Sequence, residues 1–506
     1  MCGFFISNSS VINKSHEPII EKWLRFRGPD GSSGLISHHG WQAYHARLSI
    51  IDLTAGTNQP MLDDTGGMLV FNGEIVNYKQ LGLKYFNQEF HSDTKLLSQL
   101  LSFNKLKIDE LDGFFAFVYI NALGELRHAT RDSFGVKPLF YHQDNNGISF
   151  CSEPNVLNQL FSCEVNPDAI QEYHATRAPI FSGSYFKGIS SINPGTCLVN
   201  GCFFDCSTYL EQHRQINSNH NIKSALKTGL TTRMVADAPV ALLLSRGIDS
   251  NLLRSMGNFK QYYTIGFSGD DDIEYLHRQD IDGLTAIECH PDDYKKAFDY
   301  LLHLRGEPMS VPNEVLLYLI AKKAAATGIK VLLSGEGADE FFGGYDRVFK
   351  WAHTAPQFNL DEFLYHYCYI PPQKDTPLYH QFEHLFATTR FESVFESVRW
   401  FFIRYHLPIL FRRLDFALMA AGVEGREPIA NIHTFLEAIK CSPDRLMGDS
   451  LGKLPLREII STYMGQEFAY EKKVGFPVDL TKVFNNSDNL SSYELWFKEN
   501  LKVLTL

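Results

Sequence analysis

The chain has 506 residues, 44% apolar and 21% charged, with a formal net charge of −11. At roughly 100–200 residues per domain this length calls for two domains or more, each long enough to bury its own core. The acidic balance speaks against gripping a nucleic-acid backbone, which needs a basic footprint, and no run approaches the ~18 uncharged apolar residues of a spanning helix.

The chain opens Met1-Cys2-Gly3-Phe4-Phe5, without a basic stretch ahead of an apolar run, so no secretory leader is expected. A cytoplasmic protein with neither membrane nor nucleic-acid partners is expected. Nine cysteines, an odd number, fit no disulfide framework. Strand patterns at Met68–Phe71, Phe114–Ile120 and Leu139–Tyr141, broken by turns at Asn72-Gly73 and Asn146-Gly147, make the first 200 residues β-rich. A helix is expected around Thr94–Phe103. Cys197, Cys202 and Cys206 fall in hairpin-like sequence without the paired C-x-x-C of a zinc site.

The polar stretch Glu211–Asn221 reads as a domain boundary. Beyond it Val240–Leu244 is a buried strand. A helix over Asn313–Thr327 is stopped by Gly328, and a strand over Ile329–Leu333 follows. Alternating helices and short apolar strands predict a parallel sheet covered by helices, with ligands at the carboxyl ends of its strands. From about Thr354 the chain reads as helix. There His380-Gln381-Phe382-Glu383-His384 matches the H-x-x-E-H of some zinc peptidases. A surface helix carrying two histidines is the far commoner source of such a pattern.

Removal of Met1 would leave Cys2 with a thiol and a free α-amine, whose ordinary pKa of about 7.7–8.0 suits it as base for that thiol. Downstream lie Arg25-Phe26-Arg27-Gly28-Pro29-Asp30-Gly31, Arg47-Leu48-Ser49-Ile50-Ile51-Asp52, Phe71-Asn72-Gly73-Glu74-Ile75-Val76-Asn77 and Ser92-Asp93-Thr94. Together these resemble the glutaminase domain of class II, N-terminal-nucleophile glutamine amidotransferases, in the order of the asparagine synthetase branch. The resemblance implies an αββα sandwich over residues 1–209. It implies Cys2 as nucleophile, Asn72 and Gly73 as oxyanion donors, Arg47 on the glutamine carboxylate, and Glu74 and Asp93 (with Asn72) around the rest of the glutamine. Singly, Asp93 also reads as a helix cap and Arg47 as a surface ion pair. Lys95 stands where the family has an acidic residue, and is expected to face outward.

A second constellation runs from the strand before Leu244 into Ser245-Arg246-Gly247-Ile248-Asp249-Ser250. Strand, loop and helix N-terminus form an anion site. It resembles the pyrophosphate loop of ATP pyrophosphatases. Leu333-Ser334-Gly335-Glu336-Gly337-Ala338-Asp339-Glu340-Phe341-Phe342-Gly343-Gly344-Tyr345 is the matching second loop. Thr264-Ile265-Gly266-Phe267, Asp271-Asp272, Gly306-Glu307-Pro308, Arg412-Arg413-Leu414-Asp415, Val423-Glu424-Gly425-Arg426-Glu427-Pro428 and Lys472-Lys473-Val474-Gly475-Phe476 complete a resemblance to the synthetase domain of glutamine-hydrolysing asparagine synthetases over residues 210–506. That implies an α/β domain binding ATP through Leu244, Ser245, Gly247, Asp249, Ser250, Ile265, Ser334 and Gly335. It implies Mg²⁺ on Asp249 and Asp339, Glu336 as base for incoming ammonia, Lys473 on the phosphates, and a homodimer.

Arg246 replaces a loop glycine, Asn251 a common serine, Ala241 a glycine, and Asn431 blurs an acidic motif end. Arg246 would either clash with nucleotide or add a cation to pyrophosphate. The expected reaction is glutamine-dependent, ATP-driven amidation of a carboxylate through an acyl-adenylate, with release of AMP and pyrophosphate. Aspartate is the default acceptor and a sugar uronate or other small acid the alternative. A glutaminase-only or regulatory protein with an impaired ATP site is the other reading.

Overall fold

The computed structural model describes residues 2–212, 221–389, 391–449, 451–471, 478–486 and 488–505. The N-terminal half contains two antiparallel sheets. The first centres on β1 (Cys2–Ser7), paired with β2 (Trp41–Arg47), and the second, six-stranded, on β3 (Met68–Ile75), paired with β4 (Gly113–Ile120). Period-2 alternation sorts the side chains of β1. Phe4 and Ile6 pack against Met68, Val70, Ala116 and Val118 between the sheets. Phe5 points the other way, onto Trp23, Leu24, Tyr44 and Leu157.

Two helices, α1 (Glu17–Leu24) and α3 (Pro154–Phe161), therefore cover the first sheet, and α2 (Asp93–Ser102) covers the second through Leu96, Leu97 and Leu100. The result is the expected helix–sheet–sheet–helix sandwich. One local expectation needs correcting. Asn72-Gly73 is not a turn; it lies inside β3. Gly73 is needed there for close approach: a Cβ would sit 2.0 Å from the Phe114 carbonyl oxygen. The cysteines at 197 and 202 lie in two-residue strands and Cys206 opens a helix. All nine cysteines are unpaired, and among the described residues no group of three side chains is arranged to hold a metal. His380, Glu383 and His384 are exposed.

Beyond the boundary stretch, part of which lies outside the described residues, comes a five-stranded parallel sheet. Its strands are β5 (Val240–Leu243), β6 (Tyr262–Phe267), β7 (Leu284–Cys289), β8 (Val331–Leu333) and β9 (Glu424–Arg426), in the order β7-β6-β5-β8-β9. Both faces are apolar, as a parallel sheet demands. Ala241, Tyr263 and Leu332 meet α5 (Asn313–Ala326) and α6 (Leu407–Met419), while Leu242 and Leu333 meet α4 (Ile248–Met256) through Leu252 and Leu253. No helix among the described residues is long and apolar enough to cross a membrane.

The seam between the halves is rich in buried charge. Arg27 Nη1 lies 2.6 Å from Glu153 and 2.8 Å from Asp415, and Arg412 donates to Glu153 at 2.6 Å. Lys137 Nζ sits 3.5 Å from Asp415 and over the Phe114 ring.

Candidate active sites

Cys2 begins β1, directly opposite Arg47 in register. Its backbone N–H donates to Asn72 Oδ1 at 3.0 Å, and its Sγ lies 4.0 Å from the Leu48 carbonyl oxygen. The other end of the Asn72 amide, Nδ2, is buried with no hydrogen-bond partner. An orphaned donor is costly in a folded interior. Beside a thiol it is a ready donor for an oxyanion. Burial pushes the Cys2 thiol up from its ordinary value, so attack requires a base.

A cavity of about 30 Å³ is lined by Cys2, Arg47, Gly73, Glu74 and Asp93, among others. That is room for a water or two, not for glutamine. Arg47 helps keep it small. Its Nη1 donates to Thr54 O and Asn58 Oδ1, both at 2.7 Å, and its Nη2 to Asp52 O and Thr57 Oγ1, both at 2.6 Å. The guanidinium fork thus holds the 52–58 loop.

Glu74 and Asp93 are both buried. Burial raises Glu74 well above the usual carboxylate range, and the charges of Asp93 and Glu424 add to it. Asp93 is raised by burial too, but accepts from Ile75 N–H at 3.0 Å and Thr94 N–H at 2.7 Å. Asp93 is therefore the better stabilised anion and Glu74 the member that keeps the proton. Ser92, not Asp93, caps α2, its side chain accepting from Lys95 N–H. The Lys95 side chain is exposed, as expected.

At the carboxyl ends of β5, β6 and β8 a cavity of about 290 Å³ is lined by Leu244, Ser245, Asp249, Ser250, Ile265, Ser334 and Gly335, with Glu336 and Asp339. Of the residues assigned to ATP from sequence, only Gly247 is off this wall; it is the N-cap of α4. The loop is internally braced. Ser245 N–H donates to Ser250 Oγ at 3.1 Å, and Asn251 Nδ2 donates to the Ser245 and Gly247 carbonyls at 2.9 Å each. That bracing is the structural use of the asparagine where serine is common.

Arg246 neither blocks the cavity nor lines it. It is absent from the positive-φ residues, so glycine is not required by the backbone at that position. Its side chain turns away, paired with Glu471 and lying 5.2 Å from the Tyr275 ring.

Sequence reasoning missed the group that joins the two loops. Lys453 Nζ lies 2.7 Å from Asp249 Oδ2 and 2.7 Å from Asp339 Oδ1. Its ammonium is held well above the ordinary lysine range by those two carboxylates, against the opposing effect of burial. The Lys453 backbone is left-handed (φ 62) and its N–H donates to Phe342 O at 3.1 Å. This explains the second glycine of Gly343-Gly344: a Cβ on Gly344 would meet Asp339 Oδ1 at 1.9 Å and Lys453 Cε at 2.0 Å. A left-handed lysine just ahead of Leu454-Pro455 has no sequence signature pointing to residues over a hundred positions away. The helix face of Asn313, Leu316 and Ile320 also lines the cavity without a motif.

The Asp249–Asp339 pair suits a hard divalent cation. Asp249 Oδ1 is buried without a hydrogen-bond partner, leaving an anionic oxygen available. Glu336 is ion-paired with Arg413, whose own Nε is buried and unpartnered. Lys473, assigned to the phosphates from sequence, lies outside the described residues with the rest of 472–477.

Residues 221–500 match the asparagine synthase family, and residues 1–206 match the glutamine amidotransferase domain. The chain is 27% identical to glutamine-hydrolyzing asparagine synthetase 1 of Bacillus subtilis, over 68% of this chain and 59% of that one. It is 26% identical to the asparagine synthetase of Zea mays, over 73% of this chain and 63% of that one. Against asparagine synthetase 3 of Bacillus subtilis it is 26% identical over 90% of this chain and 82% of the relative. The alignments with the first two thus span less than two thirds of those relatives' length.

Proposed function

The chain belongs to the asparagine synthase family, and from that premise we propose that it is a glutamine-dependent carbon–nitrogen ligase. The observation that carries this reading is the meeting of Asp249 and Asp339 on Lys453 Nζ, beside a cavity of about 290 Å³ at the strand ends, in the same chain as a buried Cys2 thiol against the Asn72 amide.

At the first site Cys2 attacks the side-chain amide of glutamine, with its own α-amine as base once Met1 is removed. Asn72 Nδ2 and the Gly73 N–H stabilise the oxyanion, ammonia leaves, and water then hydrolyses the Cys2 thioester, releasing glutamate and restoring the thiol. The 52–58 loop must move off for glutamine to enter, freeing the Arg47 fork for the α-carboxylate. The Glu74–Asp93 pair receives the α-ammonium, and losing the shared proton gives it the required charge.

At the second site Ser245, Gly247, Ser250, Ser334 and Gly335 cradle ATP phosphates, with Leu244 and Ile265 toward the base. Asp249 and Asp339 would hold Mg²⁺, which when bound neutralises charge on the leaving pyrophosphate. A carboxylate oxygen of the acceptor attacks the α-phosphorus, forming acyl-adenylate and pyrophosphate; Lys453, and Lys473 in its basic segment, offset the developing charge. Ammonia then attacks the acyl carbon, Glu336 takes its proton, and AMP departs. The ion pair with Arg413 holds the Glu336 carboxylate in place for that task.

L-aspartate is the first acceptor to test and a sugar uronate the second. Pyrophosphate release is measured with glutamine, ATP and Mg²⁺ across a panel of acids. Stimulation by one acid, with an equivalent of amide formed, is expected; no stimulation by any acid, aspartate included, would overturn the reading.

A further inference from the structure

The largest of the cavities described here belongs to neither site. It measures about 330 Å³, lies on the seam between the two halves, and shares no lining residue with the Cys2 pocket or the nucleotide cavity. Its wall carries five arginines and a single carboxylate: Arg131 and Arg177 from the N-terminal half, Arg305, Arg404 and Arg412 from the C-terminal half, and Glu307.

Glu307 is already shared, at 3.3 Å from both Arg305 and Arg412. The remaining arginines have no carboxylate of their own among the described residues. Arg131 is anchored to neutral oxygens, donating to Lys137 O, Gly135 O, Ile192 O and Ser191 Oγ at 2.8–3.0 Å. Burial drags its guanidinium down to about 10. Arg404 donates only to Pro194 O, at 3.1 Å, and Arg177 lies over Tyr369 at 4.4 Å. Arg412 Nε is buried with no partner. Arg305 and Arg412 are also paired with Glu314 and Glu153, so the uncompensated charge is that of Arg131, Arg177 and Arg404, unfavourable in a partly desolvated cavity until an anion joins them. Phe140, Phe181, Tyr185 and Ile409 supply an apolar remainder, and the volume is at the small end of ligand pockets.

We propose that this cavity binds a small carboxylate- or phosphate-bearing molecule with a compact apolar body, and that its occupancy is felt at Cys2. The connection is a continuous chain of contacts. Arg412 grips Glu153, Glu153 grips Arg27 at 2.6 Å, and Arg27 Nε donates to the Cys2 carbonyl at 3.2 Å. An anion drawing on Arg412 loosens its hold on Glu153 and shifts Arg27 toward Glu153 and Asp415, changing the seating of Cys2. The effect on glutamine hydrolysis rests on the function proposed above; the binding does not.

The test titrates the full chain with phenylphosphonate, without nucleotide or glutamine, by calorimetry. Saturable binding is expected, weakened at least tenfold in Arg404→Gln and in Arg177→Gln, and unchanged in Asp249→Asn, which alters the nucleotide site alone. Retention in Arg404→Lys separates charge from fold. Glutamate release at saturating phenylphosphonate should differ from the basal rate in the native chain and not in Arg177→Gln. Competition by the acid that stimulates pyrophosphate release would make the acceptor the natural ligand; absence of competition would make it a separate effector. Absence of saturable binding, equal affinity in both arginine variants, or loss in Asp249→Asn alone overturns the proposal. A Cys2→Ala chain that still released glutamate would sink the reading of Cys2 while leaving the binding result standing.

Discussion

The ammonium of Lys453 lies 2.7 Å from the carboxylate of Asp249, although 204 residues separate them in the chain. The same Nζ reaches Asp339, so one cation holds together the two loops on which nucleotide chemistry is proposed to depend. Removing it leaves two partly buried carboxylates facing one another without that counter-charge. Lys453→Met is expected to lower pyrophosphate release at least a hundredfold while glutamate release by the same preparation stays within about threefold. Equal loss of both rates would mean the lysine supports the whole fold instead.

Asn72 is the counterpart at the other site. Its Oδ1 holds Cys2 N–H and its Nδ2 is left for the reaction. Asn72→Ala is expected to cut kcat for glutamate release about 10²–10³-fold with little change in KM, the pattern of a donor used mainly in the transition state. A change confined to KM would refute the assignment.

Glu336 offers a separation of steps. Adenylation needs no base at this position, whereas attack by ammonia does. In Glu336→Gln, acceptor-stimulated pyrophosphate release is expected to persist while amide formation falls at least tenfold. Loss of both together would point to the Arg413 pairing as structural.

Arg246 was the reason to doubt the nucleotide site from sequence. Its side chain is partly exposed and paired away from the cavity, and such surface pairs are worth about 0–1 kcal/mol. Arg246→Gly is therefore expected to change KM for ATP less than about threefold, read from pyrophosphate release. A tenfold improvement would show that the arginine obstructs nucleotide.

Glu427 sets a pH dependence. Burial, assisted by the charges of Asp415, Glu336 and Asp132 and opposed by Lys137, pushes its carboxyl up from 4.5 to about 8. Between those values the unfolded chain has lost this proton and the folded chain keeps it. The folded state binds more protons there, so this group costs stability progressively as pH rises from about 4.5 to about 8, by at most about 1.4 kcal/mol per pH unit. Glu427→Gln removes the titration. Its melting temperature relative to the native chain is expected to rise between pH 5 and pH 8; parallel curves would contradict the cause.

Where chemistry is carried by neighbours in sequence, it was legible there. Ser245 to Ser250 and Ser334 to Asp339 are each one loop after one strand, so their residue types mark a candidate phosphate site before any folding, and the fold brings both loops to one cavity. Asn72-Gly73 shows the limit of local reading. The pair is a common turn signal, yet it lies within a strand paired to Ala116 and Phe115, and its glycine is there because the Phe114 carbonyl occupies the space a side chain would need. The sequence places Arg47 on a substrate carboxylate or in a surface ion pair, and only the folded chain shows its fork held by the 52–58 loop.

Strand periodicity and loop composition are local properties, so the two sheet types, the motif-borne residues of both candidate sites and the family resemblance could be read along the chain. The tertiary structure alone decided that Lys453 joins Asp249 to Asp339, that Arg246 points away from the nucleotide cavity, and that five arginines from both halves converge on one cavity. Those relationships depend on long-range packing and on where buried charge finds a partner, and neither leaves a periodic trace along the chain.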